Sequence, residues 1–382
     1  MLTKNCNAKI SINEMVFTIS YTLFVISFFV LDIEQNTFDF STVSSCLRYV
    51  SLAVGIIGVF AASKISKRNF LGVFFVFVFG IVSFLLTHST FFIGVAVLSI
   101  YAYRIPNRNI IKLTLKIVVV ATILVVLLQC FGIFENVLTK RWINTDISTR
   151  SSFGFYHSNV LPLIFLYITA YTLILKGRAV KIWTLAFFML GAVFLYFLCD
   201  SRNAVFGTVL MCILLQCNKY LMLRKGLVKV FNFLAKYIVL ISALFSIGGA
   251  LLLTKIPILE TVNVLLSNRF TYALKMIDQL GLHFVSHIYS ETYFGNLVVI
   301  DNGYLLCAVR YGLLYILMLV LISFFLGESI QNNTFLCIVM VVIATTNIID
   351  NDLFDYSCLP FLLIAIKTTI NKGKLKLSQR RL

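Results

Sequence analysis

Apolar residues fall in long blocks along this chain, without the one-sided or alternating pattern of a water-soluble domain. Twelve such blocks lie near 15–31, 43–62, 70–87, 89–103, 113–134, 158–175, 182–199, 203–217, 237–254, 303–326, 334–349 and 354–370. Roughly 20 apolar residues cover the hydrocarbon of a bilayer, so blocks of this length read as spanning helices. The pattern predicts an all-α polytopic membrane protein with about 12 transmembrane helices, forming a single integral domain over residues 1–382.

Composition sharpens this. The chain is 60% hydrophobic and 12% charged, with 36 Phe and a mean hydropathy of +0.97. An ordinary soluble domain is about one-quarter charged, so a cytosolic enzyme, a disordered tail and a secreted disulfide scaffold are all excluded. Nine Cys are scattered without a Cys-x-x-Cys pair and read as apolar filler. The first block lacks a small-residue cleavage site and reads as a retained signal anchor.

The net charge of +17 suggests nucleic acid only until its distribution is drawn. Threading twelve spans from a cytoplasmic N-terminus places most Lys and Arg on the cytoplasmic side, in runs such as Lys64/Lys67/Arg68 and Lys219/Arg224/Lys225/Lys229, and most acids outside. That is the positive-inside distribution. It predicts a cytoplasmic-membrane protein with both termini inside, whose basic charge meets anionic lipid and not nucleic acid.

The same threading leaves two large external loops, about 135–157 and 255–302, and short external turns at 200–202 and 350–353. In the second loop Glu260, Asn263, Ser267, Thr271, Lys275 and Asp278 recur at helical spacing and mark one wet face of an amphipathic helix or helix pair. Arg269 lies on the other face with Val262, Leu266, Ala273, Ile277 and Leu280, so its guanidinium needs an anion or a route to water. Ser267 or Asn268 fits an N-cap if the helix breaks there. Arg141, Arg150 and Arg202 join Arg269 on the external side. Arg48 and Arg310 sit a turn or two inside it, where ionisable groups usually face a wet cavity. Forked, permanently charged guanidinium groups bind phosphate oxygens in pairs, and the membrane substrate carrying such a group is a lipid-linked sugar diphosphate.

Four segments resemble one family, the Wzy-type polysaccharide polymerases within the superfamily that includes O-antigen ligases. Arg150-Ser151-Ser152-Phe153-Gly154-Phe155-Tyr156-His157-Ser158-Asn159 is similar to the family's Arg-x-Ser-Leu-Gly-Phe-x-His-Pro-Asn, with Ser158 replacing Pro. Asp200-Ser201-Arg202-Asn203-Ala204 resembles its Ser-Arg-small segment. Leu265-Leu266-Ser267-Asn268-Arg269 is similar to Leu-Leu-Ser-Gly-Arg, and Asp301-Asn302-Gly303-Tyr304-Leu305 resembles Asp-Asn-x-Tyr-Leu.

The resemblance implies a GT-C-like architecture with short helices in the large external loop 255–302. It also implies polymerisation, at the outer face, of undecaprenyl-diphosphate-linked oligosaccharide repeat units for O-antigen, capsule or exopolysaccharide, alongside a flippase and a chain-length regulator. No cofactor or metal is implied. Arg202 and Arg269 inherit the diphosphate, with Arg150 beside them. Asp301 stands where the ligases carry the His that activates the acceptor hydroxyl. It is the expected base, with a helix N-cap weighed equally against that role. Asn302, Tyr304 and His157 are motif-matched substrate-side residues. His283 and His287, four apart, read as an ordinary loop pair, with His283 counted on the substrate side. Asp350, Asp352 and Asp355 read as turn and cap chemistry. A ligase, or a flippase or transporter of the same lipid, are the alternatives.

Overall fold

The structure is a computed structural model and describes residues 12–34, 40–61, 67–87, 89–143, 146–220, 225–285, 301–331, 333–351, 353 and 355–371. In hydrocarbon an unsatisfied N–H or C=O costs several kcal/mol, so apolar runs close their hydrogen bonds internally and become helical. Five helices, α1 (Ile12–Phe29), α2 (Phe40–Ala61), α3 (Lys67–Thr87), α4 (Thr90–Ala102) and α5 (Asn107–Cys130), precede a two-stranded hairpin. Helices α6 (Val160–Lys176), α7 (Ile182–Cys199), α8 (Arg202–Tyr220) and α9 (Lys225–Leu251) follow it. Two short helices, α10 (Pro257–Leu265) and α11 (Arg269–Leu280), begin the second large loop. The order ends with α12 (Gly303–Arg310), α13 (Leu313–Ile330), α14 (Thr334–Thr346) and α15 (Leu359–Asn371).

Every apolar block of the sequence coincides with one of these helices or, at 303–326, with two. Among the described residues, six helical stretches are long and apolar enough to cross a membrane, and shorter apolar helices of 10–17 residues pack beside them. Polar side chains join helices inside the bundle, as is usual where the surroundings are as apolar as the core. Ser20 and Ser51 exchange hydroxyl-to-carbonyl bonds between α1 and α2 at 2.8 and 2.7 Å, and the Tyr21 and Thr114 hydroxyls meet at 2.6 Å between α1 and α5.

Two expectations are corrected and one element is added. The first large loop, for which the sequence reading gives no secondary structure, holds a hairpin: β1 (Leu138–Ile143) pairs antiparallel with β2 (Asp146–Ser151), from Leu138 opposite Ser151 to Ile143 opposite Asp146. Asn136 fastens the open end, its Oδ1 accepting from the Ser152 and Phe153 amides at 3.0 Å each. The block 303–326 is not one helix. It breaks at Tyr311–Gly312, where Gly312 adopts φ 92°, a conformation glycine takes without steric cost. Asn263, placed on the wet face, is 6% exposed because its side chain is consumed inside the loop.

All the segments predicted to be external, so far as they are described, converge on one end of the bundle. The Tyr156 amide bonds Asp32 O at 2.9 Å, and the Tyr356 hydroxyl reaches Asp32 Oδ2 at 2.9 Å. Asn203 Nδ2 bonds Thr346 O at 3.1 Å, and the Gly303 amide donates to Asn347 O and Asp350 O at 2.9 and 2.8 Å. At the opposite end Lys367 donates to Ile105 O, and Lys236 lies 3.6 Å from Glu328.

Candidate functional site

The gathered end is built around Arg269. Ser267 and Asn268 both take left-handed backbone conformations, φ 58° and 62°, and so separate α10 from α11. Asn268 occupies the N-cap position without a side-chain cap bond, its Oδ1 instead accepting from Asn263 Nδ2 at 3.5 Å. Asn263, five residues earlier, caps α11 instead: its Oδ1 accepts from the Phe270 and Thr271 amides at 2.9 and 3.3 Å, while Nδ2 donates to Thr271 Oγ1 at 2.8 Å. This pins Arg269 as the first helical residue. Its Nη1 donates to Asp301 O at 2.7 Å and its Nη2 lies 3.5 Å from Asp301 Oδ2.

The two partners are unequally wet. The Arg269 side chain is 15% exposed and that of Asp301 49%. A half-exposed carboxylate keeps lone pairs in reach of water or a hydroxyl, while a mostly desolvated guanidinium favours an anion beside it, whether this carboxylate or a bound one. Asp301 is not the helix cap. Asn302, 1% exposed, takes that role: its Oδ1 accepts from the Tyr304 and Leu305 amides at 3.1 and 3.0 Å, and its Nδ2 donates to Ser246 Oγ of α9 at 3.0 Å. The carboxylate of Asp301 is therefore not consumed in capping and lies beside the positive end of α12.

A second carboxylate stands behind the first. Asp350 accepts a short hydrogen bond from Asn203 Nδ2. Burial pushes its carboxyl up to about 6, the Asn203 bond and the Arg269 charge work against that rise, and the Asp301 charge adds to it. Asp301, Arg269 and Asp350 thus lie within electrostatic reach of one another. Two carboxylates in different environments around one cation are the arrangement that separates a proton donor from a proton acceptor. Gly303 permits the close fit, since a Cβ there would lie 3.2 Å from Asn347 Oδ1, Asp350 O and Leu353 Cβ. The sequence reading sets Asp350 aside as turn chemistry, quotes Asn203 only as part of a motif, and does not single out Asn347. The signal available was a run of three polar residues, Asp350-Asn351-Asp352, just past a buried Asn closing an apolar block.

The other predicted residues divide. Arg150 spends its guanidinium on backbone: Nε donates to Cys199 O at 2.9 Å and Nη2 to Asp200 O at 3.3 Å and to Asn159 Oδ1. It fastens the C-terminus of α7, where a cation is electrostatically favoured. His157 Nδ1 accepts from the Asn159 amide at 3.1 Å. Burial first, then the Arg150 charge, holds its pKa below the ordinary histidine value, with Asp301 opposing. Arg202 begins α8 beside Asn203, but its side chain is 58% exposed and meets Asp200 Oδ1 at 3.9 Å, a weak interfacial pair.

Arg48 belongs elsewhere, bonded at 3.3 Å to Thr90 Oγ1 and Ser45 Oγ and stacked 5.2 Å from the Phe28 ring, among α1, α2 and α4. Arg310 ends α12 in the open, 5.6 Å from the Tyr311 ring. Tyr304 is fully buried and donates to Ala344 O at 2.8 Å, a packing role. His283 binds Leu280 O through Nε2 at 2.9 Å, and the carbonyls of His283 and Phe284 accept from the Leu313 and Leu314 amides at 3.0 and 2.9 Å, capping α13. Arg141 pairs with Ser148 in the hairpin through its backbone; its side chain, His287 and Asp352 lie outside the described residues. Among the described residues no three His, Cys, Asp or Glu side chains converge as a metal site would require.

Comparison with protein-family models, curated proteins and solved structures finds no match to this chain. What the helices define is a class, a helical membrane-embedded protein with a polar site at one end.

Proposed function

We propose that the chain is a membrane glycosyltransferase that polymerises polyprenyl-diphosphate-linked oligosaccharide repeat units at the outer face of the cytoplasmic membrane. The observation carrying this reading is the Arg269–Asp301 pair, in which a carboxylate relieved of capping by Asn302 stands half in water against a sheltered arginine. Asp301 takes the proton of the acceptor hydroxyl as that oxygen bonds to the anomeric carbon of the donor. The bond from that carbon to the diphosphate breaks, and its electron pair leaves with the lipid diphosphate. Arg269 meets the growing charge as Asp301 becomes neutral, so the ion pair of the resting site turns into a cation free to hold phosphate. Lipid diphosphate is already a good leaving group, and orientation with charge stabilisation suffices without a covalent intermediate.

The test is extension of a purified lipid-diphosphate-linked repeat unit by the purified protein, read as a ladder of products. A ladder that vanishes in both Arg269→Ala and Asp301→Asn is expected; a full ladder in both would overturn the reading. One observation favours a second reading, transport of the same lipid: the helix interrupted at Tyr311–Gly312 has the form of the broken helices of transporters. Loss of a polymerase leaves single repeat units at the cell surface, whereas loss of a flippase strands them inside.

A further inference from the structure

Arg48, set apart from the Arg269 group, stands on a polar stripe of its own. On α2 the residues Ser41, Ser44, Ser45, Arg48 and Ser51 recur at three-to-four spacing and so share one face. Ser44 and Ser51 are buried, whereas Val43, Tyr49 and Val50 around the rest of the helix are exposed, so the stripe is turned into the bundle. Ser51 closes it at the deep end through its bonds with Ser20, and exposed Ser41 opens it near the start of α2. Arg48 and Gly55 of α2 meet Thr90 and Val97 of α4 in the same order. The two helices therefore run parallel, and the N-terminus of α4 lies level with the Arg48 head.

The partners of that head are all neutral. The guanidinium reaches back along α2 to Ser45 Oγ and across to Thr90 Oγ1, both at 3.3 Å, and lies 5.2 Å from the Phe28 ring centre. Thr90 is the first residue of α4, whose N-terminus carries partial positive charge, so this neighbour adds to the arginine's charge instead of offsetting it. Among the described residues no carboxylate pairs with Arg48. Asp32, four residues past Phe28, gives its carboxylate to the Tyr356 hydroxyl. Two polar atoms remain unspent: Arg48 Nε and the Oγ of Ser44, one turn before it, are both buried without a hydrogen-bond partner. Ser44 is 0% exposed. Arg150 spends its fork on carbonyls, but Arg48 reaches none, and a sheltered cation with donors to spare and no anion is a half-made site.

We infer that Arg48 holds the phosphate of an anionic bilayer phospholipid, with Arg48 Nε and the Ser44 hydroxyl as donors and the lipid's chains on the exposed Tyr49 flank of α2. Depth decides the source of the phosphate. Arg48 lies eight residues, about 12 Å, along α2 from Phe40, on a helix long and apolar enough to cross a membrane. Its fork folds back a turn toward the helix start, which brings it to headgroup level. A phosphodiester offers two oxygens to the fork, and an anionic headgroup carries no cation of its own to compete with the arginine. The inference rests on neither the Arg269 group nor the proposed reaction.

The test uses the purified full-length protein in neutral detergent, titrated with phosphatidylglycerol or phosphatidylcholine and followed by native mass spectrometry and melting temperature. Phosphatidylglycerol should bind and raise the melting temperature of the wild type, and phosphatidylcholine should do so far less. Arg48→Met keeps the length of the side chain and drops its charge. It should weaken phosphatidylglycerol binding about tenfold or more, as loss of hydrogen bonds to a charged group does, and Ser44→Ala should weaken it about threefold. Without lipid, Arg48→Met should melt no lower than the wild type, because it removes a buried charge that has no counter-ion. Melting well below the wild type there would make Arg48 a structural brace, and equal phosphatidylglycerol binding by the wild type and both variants would place the lipid elsewhere; either overturns the inference. So would a full rise in melting temperature from inorganic phosphate alone, or displacement of the bound lipid by an isoprenyl diphosphate at far lower concentration, which would give the site to a free anion or to a substrate. The product ladder plays no part in these readings, so the proposed reaction and this inference fail separately.

Discussion

Arg150 and Arg269 stand at the same end of the molecule, carry the same side chain and were read from sequence in the same role, yet the fold uses them differently. Arg150 is bound to the carbonyls of Cys199 and Asp200 and to Asn159, holding the start of α6 to the end of α7. Arg269 faces a carboxylate that remains half in water. An arginine that satisfies helix-end carbonyls contributes to stability, because removing it strands acceptors in a poorly solvated place. Arg269 is itself mostly sheltered and also bonds the Asp301 carbonyl, but its charge partner stays half in water, and a pair screened on one side is open to exchange for a ligand anion. The difference between them lies in their partners, and it can be broken by experiment.

The largest effect is expected on the Arg269 side. Asp301→Asn should lower polymerisation by about 10²–10⁴-fold, the span that general-base catalysis supplies. Its melting temperature should stay near wild type because Asn302 still caps α12. Arg269→Ala should lose activity similarly, with Arg269→Lys recovering little, since a point charge does not replace a fork. Ladder assays beside melting curves test both, and a parallel fall in melting temperature would make this arginine structural, like Arg150.

The converse is expected of Arg150. Arg150→Ala should destabilise the protein by about 1.5–3 kcal/mol, the range for hydrogen bonds to a charged group, and its activity should fall only as far as folded protein is lost. Chemical denaturation of the purified variant, with activity normalised to folded protein, decides this. Normalised activity falling as far as in Arg269→Ala would erase the distinction. Asn302→Ala comes next, costing about 0.5–2 kcal/mol for the lost cap, and Asp301→Ala should cost less than Asn302→Ala in the same melts. The reverse order would return the capping role to Asp301.

How much of this was legible in the sequence follows from the range of each interaction. Helices were legible because each apolar block carries its own reason for being helical. The hairpin was not, since Leu138–Ile143 and Asp146–Ser151 mix charged, polar and β-branched residues in a loop where nothing apolar repeats. The break at Gly312 was hidden because leucines and tyrosines continue on both sides of it. Asp301 and Arg202 were visible as polar residues at block ends, and Arg269 as a cation on the apolar face of an amphipathic segment, but their partners were not. Whether Asp301 or Asn302 caps α12 depends on which backbone amides each side chain meets, and two adjacent capping residues look equivalent in one dimension. Asn203 and Asp350 are 147 residues apart in sequence and touch only in space.

The smallest effect concerns pH and tests whether Asp350 belongs to the Arg269 group or merely closes a turn. Burial raises its carboxyl from the usual 3.8 to about 6 in the folded protein. The folded state therefore holds a proton that the unfolded chain releases earlier. That contribution to stability is fully present below the unfolded value and is lost as pH rises from about 4 through about 6. Asp350→Asn keeps an oxygen to accept from Asn203 and removes the titration. It should therefore flatten the stability profile over that window and leave the variant no less stable than wild type above it. Because the Arg269 charge pulls the Asp350 carboxyl down and the Asp301 charge pushes it up, the two neighbours can be read through it. Asp301→Asn should move the midpoint of the profile to lower pH, and Arg269→Ala should move it to higher pH. Arg150→Ala, outside the charges that act on Asp350, should leave the midpoint in place while lowering the whole curve. Denaturation of the four variants across pH 4–8 measures these shifts. A midpoint indifferent to Arg269 and Asp301 would show that the two carboxylates and the arginine act separately, leaving Arg269 no closer to a working site than Arg150.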